Sequence, residues 1–130
     1  MFIACLVAVL FYPFETIVVP EWKVRVVDRA FGKPVTNVVV TEGWRHHSIE
    51  IHRHDENRIT DNQGYVYFPR RTVRASLLHR VAGMAVAALH VHGQSGPRAF
   101  IVVAGSYDSD TDYWPGKPLR EIITVPPPQP

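Results

Sequence analysis

From Trp22 to Phe68 the apolar side chains recur with a period of two, which belongs to extended chain and fits no helix. Trp22, Val24 and Val26 alternate with Lys23 and Arg25, as in a strand with one face buried and one in water. Gly32 and Pro34 supply a tight connection. Val35 to Thr41 then resumes a β-branched run with Val38 and Val40 on one face. Thr60-Asp61-Asn62-Gln63-Gly64 reads as a turn, and Tyr65 to Phe68 as an aromatic-rich strand stopped by Pro69. Further on, Ala99 to Ala104 is an apolar run of strand length. Leu119 to Val125 is a last strand before Pro126-Pro127-Pro128, which cannot join a sheet and opens a surface tail over 126–130. A chain of 130 residues with 46% apolar and 20% charged residues holds one domain and is too apolar to be disordered over most of its length.

Two segments break the period. From Ser76 to Leu89 the apolar positions Leu77, Leu78, Val81, Met84, Ala85, Ala88 and Leu89 form a helical stripe, with Thr72 or Ser76 as N-cap and Gly83 as a weak point. The spacing predicts one amphipathic helix near 76–89. The other segment is Phe2 to Phe11, ten uncharged residues. That is the length of a signal-peptide core and short of the roughly 20 residues a spanning helix needs. That length makes residues 1–20 read as a signal-like or membrane-anchor segment, with a buried first strand as the alternative. Against a cleaved signal, no Lys or Arg precedes the run and no clear small-x-small site follows, which leaves a start further upstream or a retained segment open. Phe2-Ile3-Ala4-Cys5 faintly resembles a lipobox, but apolar residues follow Cys5 where a lipoprotein has a polar tether. Glu42 to Asn57 is polar and carries four His, so it is expected as a long loop or as exposed edge strands.

Val24-x-Val26 with Asp28, then Gly32-x-Pro34-Val35-x-x-Val38-x-Val40, then Thr60-Asp61-x-x-Gly64-x-Val66-x-Phe68-Pro69, resembles the carboxypeptidase regulatory-like domain, a transthyretin-like (prealbumin-like) sandwich. The resemblance covers residues 22 to 69. It implies an all-β Greek-key β-sandwich of about seven strands over residues 21–125, here with the helix inserted. It also implies an accessory module of exported or envelope proteins rather than a catalyst. The His-rich stretch and the helix depart from that pattern, and the resemblance assigns them no role.

The seven His are the most unusual feature of the composition. His52-x-His54 and His90-x-His92 have the spacing that puts two imidazoles on one strand face, so His52, His54, His90 and His92 are the candidate ligands for zinc or copper. The competing explanation is coincidence among surface His. His46 and His47 are neighbours that point apart in an extended chain, and His79 sits on the polar side of the helix. Asp108-x-Asp110-x-Asp112 opens like a calcium loop, but Tyr113 and Leu119 stand where an EF-hand needs Gly and Glu. Thr60-Asp61-x-x-Gly64 followed by His90-x-His92 is similar to the turn and iron-ligand pair of intradiol dioxygenases, yet no Arg-Pro precedes His90. His47-x-x-Glu50 is spaced like a metallocarboxypeptidase zinc motif in a chain too short for that enzyme. Arg70, Arg71, Arg74 and Arg80 flank the helix as a solvated rim or a face for anionic lipid.

A net charge of +2 is too balanced for nucleic acid to be the main partner. No phosphate-binding glycine loop and no nucleophile elbow is present. The sequence therefore favours a non-catalytic accessory or protein-interaction module, exported, periplasmic or membrane-anchored, which takes no cofactor and meets an unknown protein partner. Membrane association would run through residues 2–19. The alternative is a His-based zinc or copper protein, with a metal-dependent enzyme as its least favoured form.

Overall fold

The computed structural model describes residues 1–90 and 94–127. In chain order its elements are α1 (Phe2–Phe11), β1 (Phe14–Val19), β2 (Trp22–Asp28), β3 (Val39–His46), β4 (His54–Ile59), β5 (Tyr65–Phe68), β6 (Arg71–Ala75), α2 (Leu77–Leu89), β7 (Pro97–Val103), β8 (Ser106–Tyr107) and β9 (Ile122–Val125). The strands form a three-stranded sheet β5-β2-β9, a four-stranded sheet β4-β3-β7-β8, and a ribbon of β1 with β6. The result is a β-rich, open layered fold consistent with a sandwich.

The period of two explains the core. In β2, Trp22, Val24 and Val26 are buried while Lys23 is exposed, and in β7 Ala99, Ile101 and Val103 are buried between half-buried neighbours. These residues meet Val40 of β3, Val66 and Phe68 of β5, and Ile123 of β9 in one apolar cluster, the main source of stability in a fold of this size. Trp22 satisfies its buried indole N–H by donating to the carbonyl of Arg120 at 2.7 Å. The predicted turn forms on Asp61, whose Oδ1 accepts from the N–H groups of Gln63 and Tyr65. Those two bonds hold its carboxyl below the usual carboxylate range.

The structure departs from the sequence reading in several places. Among the described residues there are nine strands rather than about seven, and a second helix, α1, joins the inserted one. Residue 20 is not a structural boundary, because Val18 and Val19 of β1 lie in the core. The stretch from Glu42 to Asn57 is as expected only in its second half, where residues 47–53 form a connection and β4 is an edge strand with His54, Asp55 and Asn57 exposed; its first half is not. β3 continues to His46 as a central strand between β4 and β7, and a fixed cation makes that burial possible, as described below. The predicted helix forms with Ser76 as N-cap, its side chain accepting from the N–H of His79. Its facing is reversed. Leu77, Leu78, Val81, Met84 and Leu89 point to solvent, while Arg80, Gly83 and Ala87 are the half-covered positions.

Candidate functional site

On the outer face of the four-stranded sheet lies an open cleft of about 890 Å³. Gly43 of β3 creates its floor. A Cβ there would come within 2.4 Å of the Phe100 ring, so only glycine lets that ring lie flat across the sheet from β7. Arg53 stacks over Phe100 at 5.2 Å and Tyr107 meets the same ring edge-on at 5.9 Å. At the other wall Trp114 carries Arg98 at 5.6 Å and Lys117 at 4.6 Å. Arg45 donates from Nε to the carbonyl of Glu50 at 2.9 Å.

Such an arrangement can bind an anion. A guanidinium laid on an aromatic face keeps its edge N–H groups free, so it can hold a carboxylate in its own plane without first being ordered. Tyr107 donates its hydroxyl to Asp112 at 2.6 Å, and that bond pushes its phenol up to about 12, so it serves as neutral phenol rather than tyrosinate. His47 lines the cleft as a neutral ring, held down first by burial and then by Arg45 and Arg98.

Behind the sheet the inward face of β3 turns polar. Glu42 is 0% exposed and stands opposite Glu56 of β4, two like charges in register. Arg71 of β6 resolves the conflict. Its Nε donates to Glu42 Oε1 at 2.7 Å, its Nη2 meets Glu56, and its plane lies 4.1 Å over Trp44. Arg58 completes the group through Glu56 at 3.0 Å and the carbonyl of Tyr67 at 2.8 Å. Burial raises the Glu42 carboxyl against the pull of Arg71, whereas bonding to Arg71 lowers the more open Glu56. The predicted solvated rim is thus half right. Arg70 and Arg74 are exposed, and Arg71 is an interior ion.

Three of the four candidate metal ligands are among the described residues. His52 lies in the exposed segment before β4 and not on a strand, so it does not share a strand face with His54. His54 stacks on Trp44 at 5.5 Å and contacts the carboxylate of Glu50. His90 caps α2, its Nδ1 lying 2.8 Å from the carbonyl of Val86. His92 lies outside the described residues. Among the described residues no three His, Cys, Asp or Glu side chains form a group that could hold a metal ion. Asp108 and Asp112 have local work. Asp108 accepts from the Asp110 N–H to cap a short 3-10 turn, and Asp112 takes the Tyr107 hydroxyl.

The imidazole most engaged with the interior is His46, which sequence reasoning set aside. It is buried, its Nδ1 finds no partner among the described residues, and burial followed by the charge of Arg80 lowers its pKa. Its sequence signal was parity, since His46 shares a face with Val40, Glu42 and Trp44. No protein-family model, no curated protein and no solved structure matches the chain.

Proposed function

We propose that this chain is a non-catalytic interaction module of the cell envelope or exported fraction, associated with the membrane through residues 2–19. In this reading its fold is a Greek-key sandwich of the carboxypeptidase regulatory-like, transthyretin-like kind. The strand pairing that supports it is β2 between an antiparallel β5 and a parallel β9. The cleft receives a protein partner, and the observation that carries this is Arg98 stacked on Trp114 with no carboxylate partner among the described residues, beside Arg53 stacked on Phe100 and 3.9 Å from Asp55.

A photo-crosslinking residue in place of Gln94, at the cleft wall, tests the reading in the native cell. One protein adduct is expected, lost with Arg98→Glu and kept with Lys23→Glu on the other sheet. An adduct indifferent to Arg98, or a cytoplasmic fraction holding all of the protein, overturns the proposal. Protein purified without a tag is expected to carry no stoichiometric zinc or copper. One bound equivalent would move the reading to the imidazoles of His52, His54, His90 and His92.

A further inference from the structure

α1 and α2 both turn apolar side chains away from the rest of the chain. α1 contains no charged residue and no buried one, with Phe2 at 95% exposure. α2 exposes Leu77, Leu78, Val81, Met84, Val86 and Leu89. Neither helix is loose. They pack against each other, and α2 is seated so closely on the turn after β3 that a Cβ on Gly83 would fall 1.6 Å from the Ser48 carbonyl oxygen. Arg80 donates to the carbonyls of Phe14, at 2.7 Å, and Ala75, at 3.1 Å, so α2 is tied to the end of the β1–β6 ribbon where those two residues pair and where α1 leads in. The docking face of α2 is therefore used, and its apolar stripe is the face left over. Soluble monomers rarely expose apolar patches beyond a few hundred Å².

We propose that α1 and α2 together form one membrane-docking surface that lies in the plane of an anionic leaflet, with its hydrocarbon as the occupant. This rests on the membrane reading of residues 2–19 and adds the second helix, the orientation and the lipid charge. Four features select that occupant. A protein partner covers a stripe, whereas α1 is apolar all round, which suits a surrounding solvent of acyl chains. At 1.5 Å per residue the two helices are about 15 and 20 Å long against a hydrocarbon core of about 30 Å. No helix among the described residues is long and apolar enough to cross, and α2, apolar on one side only, suits the surface of a leaflet. Tyr12 and Phe14 stack edge-on at 4.9 Å where α1 meets β1, the amphipathic aromatic pair that headgroup level favours.

Charge favours a leaflet over a second copy of this chain. Residues 2–19 and 70–90 contain Arg70, Arg71, Arg74 and Arg80 and a single carboxylate, Glu15. Arg71 is taken by Glu42 and Glu56, and Arg74 by Glu15 at 3.1 Å. Arg70 and Arg80 have no carboxylate partner among the described residues, and of the two Arg70 is exposed while Arg80 is held by the carbonyls of Phe14 and Ala75. A second copy would bring the same cations face to face, while anionic headgroups neutralise them.

The test is flotation of the full chain with vesicles of phosphatidylcholine alone and of phosphatidylcholine mixed with phosphatidylglycerol. Binding to both is expected, stronger on the anionic vesicles by about fivefold, with the gain lost in high salt. Leu6→Glu on α1 and the pair Val81→Glu with Met84→Glu on α2 should each weaken binding at least about tenfold. Near-UV circular dichroism of the buried Trp22 checks that the variants fold. As a second readout, an environment-sensitive fluorophore on Met84→Cys, in a Cys5→Ser background, should brighten with vesicles. If the unaltered chain floats with neither vesicle, the membrane reading itself falls. If it floats and only Leu6→Glu matters, or the probe at 84 stays dark, the two-helix inference falls and the anchor at residues 2–19 stands. Equal binding to both vesicles removes the anionic leaflet. A discrete dimer that the α2 variants dissolve, with no flotation, assigns the surface to a second copy.

Discussion

Arg71 sits where three requirements meet: two carboxylates in register, an indole face, and the seam between β6 and the four-stranded sheet. Removing one partner of a buried ion group is costly because the other stays charged and dry, at about 3–5 kcal/mol. Arg71→Ala should lose stability of that order in urea, and Arg71→Met combined with Glu42→Leu should recover most of it. The deficit depends on pH with a definite sign. Burial already raises Glu42 above its ordinary 4.5. A carboxyl with a raised folded pKa contributes stability below the unfolded pKa and loses it as pH rises through the folded value. The deficit of Arg71→Ala should therefore be largest near pH 8 and shrink toward pH 5. A constant deficit would mean that Glu42 is not the group left stranded. Parity alone puts Glu42 on the face of Val40, but the sequence holds no sign that a cation 29 residues away neutralises it, which is why the segment reads as exposed.

At the scale of elements, α2 is the most informative. Its start and end were legible from Ser76 and the 3.6-residue spacing, but its facing was not, because periodicity marks an apolar stripe without saying what covers it. The inward Arg80, Gly83 and Ala87 look like the polar side. Gly83→Ala tests the seating. In an isolated helix alanine is favoured by about 1 kcal/mol, whereas here the added carbon meets the Ser48 backbone, so a net loss of about 1–3 kcal/mol is expected from overpacking. A stabilised variant would show that α2 does not rest on that turn. The same contact should respond to acid. Burial and neighbouring arginines depress both His46 and His47 below 6.5, so their stabilising contribution is complete above about that value and is lost as pH falls through the depressed folded values. His46 faces Arg80 of α2 and Glu50 of its own turn, and His47 faces Arg45 and Arg98. Between pH 7.5 and 5.5, hydrogen exchange corrected for intrinsic rates should speed up at residues 45–50 and along α2 while β2 and β7 hold. His46→Gln should remove most of the change in α2. Equal protection at both values would exclude the imidazole as the pressure point.

For the whole molecule, the β-rich class was legible because alternation is a local signal carried by Trp22, Val24 and Val26, while the parallel pairing of β9 with β2 and the cleft were not. The cleft draws Arg45 and Arg53 from one region, Arg98 and Phe100 from another, and Tyr107 and Trp114 from a third, and no spacing rule joins them. The molecule that results is lopsided. One end is apolar helix, and the whole chain carries a net charge of only +2, too little to keep such ends apart by repulsion. Burying apolar surface is favourable by about 25 cal/mol per Å², so in plain buffer the helical ends should find each other. Because α1 is apolar on all sides, it offers no single complementary face, and the association should have no fixed stoichiometry. In sedimentation velocity the mean mass is expected to rise with protein concentration. High salt should raise it further, because screening removes the repulsion between Arg70 and Arg80 of neighbouring chains and leaves the apolar attraction intact. Mild detergent should return the chain to a monomer with an unchanged far-UV spectrum. Leu6→Glu together with Met84→Glu should do the same without detergent. A monomer in plain buffer at high concentration would contradict this, since it would mean that the exposed leucines and valines of α1 and α2 are covered by the chain itself.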